Sequence, residues 1–60
     1  MSDAYTARRE RVATQVCSRW AGTDDWTDEQ MLTVRGAADM AFTANINDLD
    51  WEAATMARLK

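Results

Sequence analysis

The sequence predicts an all-α fold, a small three-helix domain with short connections. Three observations predict it. Two segments, Thr27-Asp28-Glu29-Gln30 and Asn47-Asp48-Leu49-Asp50, carry helix-start signals. Apolar residues recur at helical spacing in three stretches, and proline is absent from all 60 residues. The chain is short enough to form one domain, residues 1–60, and a domain of this size buries only about 60% of its unfolded surface.

The first helix is expected from about Asp3 to Ala21, with Ser2 or Asp3 as N-cap and Gly22 as the residue that ends it. At about 100° per residue, Tyr5, Val12, Val16 and Trp20 share one stripe, with Ala13 and Cys17 at its edge. Arg8, Arg11, Gln15 and Arg19 take the adjoining face. Arg9 falls within the apolar stripe, where its stem covers apolar surface while the guanidinium reaches water or a carboxylate.

The second helix is expected from Asp28 to about Ala44. Thr27 and Gln30 form a capping box, and Trp26 and Met31 occupy the two positions of a hydrophobic staple. Met31, Val34, Ala38, Ala41 and Phe42 make one apolar face; Leu32, Gly36 and Met40 make another on roughly the opposite side. A helix apolar on two sides is covered by two neighbours, or by one neighbour and a partner. Gly36 costs about 1 kcal/mol against alanine inside a helix; it is either simply tolerated or a point of close backbone approach.

A turn at residues 45–47 is expected to follow, with Asn45 ending the second helix in a left-handed conformation. Asn47 or Asp48 then caps a third helix, from about Asp48 to Leu59, and Ile46 and Trp51 repeat the staple positions. Its inward face is Trp51, Thr55 and Leu59, with Met56 and Leu49 on one flank and Ala54 and Arg58 on the other. Asp-Trp-x4-Met occurs at Asp25 and again at Asp50, which is too little to define a repeat.

The core inventory is thin. Leu, Ile, Val and Phe total eight residues, below the level of about 20% that accompanies disorder in highly charged chains. The net charge is only −3, however, and three tryptophans each offer a large area to bury. A folded but under-cored domain follows, completed by oligomerisation or a partner. Cys17 is the lone cysteine, so no internal disulfide contributes, and it reads as a small buried hydrophobe. No targeting segment and no apolar run long enough for a bilayer is present, and the expected location is cytoplasmic. Six arginines to one lysine, with eleven alanines, suit GC-rich codons and a bacterial or phage gene.

Charge is divided unevenly. Residues 1–22 balance to +2 and residues 23–60 to −5. Most carboxylates fall in or before the first turn of an expected helix, where they cap and favour the macrodipole. The competing reading is an acidic surface that docks on a basic partner.

Chemistry finds little support. Histidine is absent, no serine or cysteine sits beside a plausible base, and no glycine-rich phosphate loop is present, so no enzyme and no cofactor are expected. The oxygen-rich run Asn45-x-Asn47-Asp48-x-Asp50-x-Glu52 lacks the glycine and distal glutamate of a calcium loop, so no metal is expected. As a helix-turn-helix the pair of later helices would push Asp48, Asp50 and Glu52 against phosphate, which disfavours DNA reading. Membrane association through helix one is disfavoured because the core needs that face.

The leading expectation is a protein-interaction module that binds another protein, or itself as a homo-oligomer, in the manner of an accessory or inhibitor protein. Leu32, Gly36 and Met40 would supply the apolar contact, with Asp24, Asp25, Asp28 and Glu29 as an acidic rim. The alternatives are a nucleic-acid-binding regulator using Arg8, Arg11 and Arg19, and a structural subunit of a larger assembly.

Overall fold

Backbone and side chains of residues 3–60 are described by a computed structural model, which has three helices and no strand among those residues: α1 (Ala4–Ala21), α2 (Asp28–Ala41) and α3 (Asp48–Leu59). Each helix packs against both others, around one core.

The N-terminal caps of α2 and α3 form where the sequence places them. Thr27 accepts the Gln30 amide and the Gln30 side chain accepts the Thr27 amide, at 3.1 and 2.8 Å. Trp26, at the N′ position, packs on the core that Met31 joins. The Asn47 side chain accepts the Asp50 amide at 2.8 Å, while Ile46 and Trp51 pack into the same core. Gly22 ends α1 in the left-handed region (φ 73°), where its amide reaches the Ser18 carbonyl at 3.1 Å. Asp3 holds the N-cap position of α1 without a side-chain cap bond. The alternative cap, Ser2, lies outside the described residues.

Helix α2 departs from expectation. It stops at Ala41 rather than near Ala44, because Phe42 turns extended (ψ 135°). The reason is tertiary. The last four carbonyls of a helix lack helical partners, and that of Ala38 is taken by the Trp51 indole N–H at 2.8 Å. Released from the helix, Phe42 packs edge-on to Tyr5, with ring centroids 5.0 Å apart, and lies 4.9 Å from Trp51. Asn45 is not left-handed; among the described residues only Gly22 has positive φ. The connection to α3 therefore spans residues 42–47.

The core consists of Val12, Ala13, Val16 and Cys17 from α1, Met31, Val34, Ala38 and Ala41 from α2, and Trp51 from α3. The stripe of α1 is thus shifted from the expected one. Ala13 and Cys17, expected at its edge, are wholly buried; Tyr5 and Trp20, expected on it, are more than a third exposed. Small residues face the centre because three short helices around one tryptophan leave room for little else. Thr55, also buried, donates its hydroxyl to the Trp51 carbonyl at 2.7 Å, so the one buried hydroxyl in the core is satisfied. On α3, Leu59 and Met56 are half-buried and Leu49 is 75% exposed, so Leu49 is no flank of the core.

Candidate interaction surface

The charge asymmetry resolves into an interlock between helices. Arg8 donates through Nε to Asp48 and through Nη2 to the Ile46 carbonyl, each at 2.5 Å, and its guanidinium lies 5.1 Å from the Trp51 ring centroid. Arg11 reaches the other Asp48 oxygen at 3.4 Å. Arg9, expected to find water or a carboxylate, lies 3.2 Å from Asp39, which also accepts the Tyr5 hydroxyl. Arg19 stands 3.0 Å from the carboxylate of Glu52, a residue that is buried in the α1–α3 seam. In the reverse sense, Glu10 of α1 holds Arg35 of α2 by a fork, with Nη2 at 2.7 Å and Nε at 2.9 Å.

These contacts move proton affinities. The hydrogen bond from Arg35 holds Glu10 below the usual carboxylate range, and that from Arg8 does the same for Asp48. Burial, reinforced by the Asp39 carboxylate, raises the Tyr5 phenol. Burial also raises the Cys17 thiol, which opposes thiolate formation.

Asp48 and Glu52, expected to favour the start of α3, therefore also act as tertiary partners, and Asp39, expected in no such role, does the same. Asp39, Asp48 and Glu52 neutralise the arginines of α1. Arg8, Arg11 and Arg19, the residues of the nucleic-acid alternative, are all engaged inside the molecule. The sequence allows a solvated face or an intramolecular partner for Asp48, Asp50 and Glu52, but it does not pair Arg8 with Asp48 or Arg19 with Glu52. The available signal was opposite charge on neighbouring helices, which carries no distance until the helices are docked.

The second apolar face of α2 has no such cover. Leu32 and Met40 are 67% and 70% exposed. With Thr33, Gly36 and Ala37 of α2 and Arg58 and Leu59 of α3, they line a shallow groove of about 460 Å³. Gly36 lies between them, and a Cβ built there meets nothing within 4 Å. No backbone of the molecule itself approaches that glycine. The close approach it permits is left unused inside the fold.

A second hollow, of about 350 Å³, is lined by Trp20, Thr27, Glu29, Gln30 and Thr33. Thr33 borders both hollows, so they adjoin across α2. Of the expected rim, Glu29 lines this second hollow, and Asp28 stands one turn before Leu32 on α2. Asp24 and Asp25 lie in the loop and line neither hollow; Asp24 accepts the Ser18 hydroxyl at 2.8 Å. Arg58 and the half-buried Leu59 line the first hollow and Trp20 the second, although the sequence pattern assigned Trp20 to the interior.

Among the described residues no group of three metal-ligating side chains occurs, and no helix is long and apolar enough to cross a membrane. No protein-family model matches the chain, and neither does any curated protein or solved structure.

Proposed function

We propose that the chain is a protein-binding module, of the accessory or inhibitor kind, whose partner seats on the outer face of α2. The observation that carries this reading is the groove at Gly36: two large apolar side chains, Leu32 and Met40, stand exposed on either side of an interior helical glycine with open space above it. A folded monomer gains nothing from that arrangement, since the glycine weakens the helix and the apolar side chains remain wet. Trp20 at the neighbouring hollow adds a residue type that often dominates binding energy.

The nucleic-acid reading is the weaker one, because its arginines already have carboxylate partners. Asp48 and Glu52 offset much of the charge that those arginines would offer a phosphate.

Sedimentation equilibrium of the full chain, followed by affinity capture with the Leu32→Asp/Met40→Asp variant as control, tests the proposal. A protein, or a second copy, retained by the native chain and lost with the variant supports it. Equal retention by both chains overturns the assignment of this face.

A further inference from the structure

We infer that the occupant of the α2 face is a cationic amphipathic helix of another protein, lying along α2 with its apolar side chains between Leu32 and Met40 and its lysines or arginines beside Asp28 and Glu29. This deepens the proposed function and rests on it.

Charge complementarity selects the occupant. Internal ion pairs engage Arg8, Arg9, Arg11, Arg19 and Arg35 with Glu10, Asp39, Asp48 and Glu52. Among the described residues, the charges outside those pairs are Asp3, Asp24, Asp25, Asp28, Glu29 and Asp50, against Arg58 and Lys60. Four of these six carboxylates fall within residues 24–29. Asp28 and Glu29 precede Leu32 and Thr33 by four positions each, which places them on the same side of α2, at the N-terminal end of the groove. The surface left after internal pairing is thus mainly apolar along its length, with Asp28 and Glu29 one turn before its N-terminal end and Arg58 of α3 on its lining. A cationic partner complements this excess of carboxylates better than a second copy, itself at −3, and nucleic acid is repelled by it.

The dimensions suit a helix. Leu32 and Met40 are eight residues apart, about 12 Å along the axis, or a little over two turns. An apolar stripe at i, i+4 and i+7 fills that length. Gly36, with nothing within 4 Å of its Cβ position, lets the incoming backbone approach at the centre. Arg58, on the α3 side, accommodates a carboxylate on the partner's far edge.

The test uses the full isotope-labelled chain and two synthetic amphipathic peptides, one of leucine and lysine and one of leucine and glutamate. Amide shifts map the contact, and titration gives the dissociation constant. The leucine–lysine peptide should shift residues 28–40 and bind at least about tenfold more weakly to Leu32→Asp/Met40→Asp. That variant adds two negative charges, so a purely electrostatic contact would tighten instead. Asp28→Asn and Glu29→Gln should each weaken binding about two- to fivefold. Circular dichroism shows whether the variants keep their helicity, and Gly36→Leu, which fills the groove without adding charge, serves as an independent block.

Equal binding of the leucine–glutamate peptide overturns the charge of the occupant and leaves the face standing. Tighter binding by the aspartate variant, or shifts confined to other helices, overturns the face as well. Self-association that is lost with Leu32→Asp/Met40→Asp makes a second copy the occupant and overturns the inference.

Discussion

Tyr5 is the only tyrosine in the chain, so its ionisation can be read directly from the ultraviolet absorbance of the phenolate. Burial and the neighbouring Asp39 carboxylate both oppose a phenolate at this position. The midpoint should therefore lie above the ordinary value near 10. Asp39→Asn should lower it only part of the way, because burial is the larger cause. A midpoint in the variant at or above the native one would remove Asp39 from the explanation. Trp51 is the other residue on which much depends. Its indole N–H covers the Ala38 carbonyl, and its ring contacts Tyr5, Phe42 and the Arg8 guanidinium. Trp51→Phe keeps an aromatic ring but leaves that carbonyl without its donor, at a cost of about 1–3 kcal/mol. Urea unfolding would show the loss as a lower midpoint, and an unchanged midpoint would mean the carbonyl finds another donor.

At the scale of the helix, the starts were legible and one end was not. Thr27 with Gln30, and Asn47 with Asp50, cap through local contacts that depend only on neighbours three positions away. Thr27→Ala should lower stability by about 1 kcal/mol. Thermal unfolding followed by circular dichroism would test this, and no change would mean that α2 starts without its cap. The C-terminal end of α2 was misread because its stop signal lies ten residues further along the chain. Trp51 takes a carbonyl from α2 and Phe42 turns to meet the ring, and neither event has a local pattern. Gly36 separates packing from propensity in the same helix. The open space there accommodates a methyl group, so Gly36→Ala should stabilise the chain by up to about 1 kcal/mol. Gly36→Leu should keep the helicity and weaken partner association. A Gly36→Ala chain less stable than the native one would show that the space is not open.

For the whole molecule, the apolar half of the candidate site was legible from periodicity alone, since Leu32, Gly36 and Met40 share a face that the core does not need. The half contributed by other helices was not. Trp20, Arg58 and Leu59 reach that surface only through the docking of α1 and α3. The same limit hid the ionic interlock, and the interlock fixes how stability responds to pH. Glu10 and Asp48 have folded-state values below the ordinary carboxylate range, because the Arg35 and Arg8 hydrogen bonds favour their charged forms. Groups shifted in this direction contribute stability above the unfolded value, near pH 4, and lose it as pH falls through the lower folded value. Tyr5 is shifted the opposite way for an acid, so its contribution is complete below about pH 10 and fades above it. Stability should therefore hold a plateau from about pH 5 to about pH 9 and decline on both sides. Urea midpoints across pH would trace it. Glu10→Gln should lower the plateau and flatten the acid limb, because the shifted proton is gone along with half of the α1–α2 fork. An acid limb of unchanged slope in that variant would move the acid sensitivity away from the interlock, to carboxylates elsewhere on the chain.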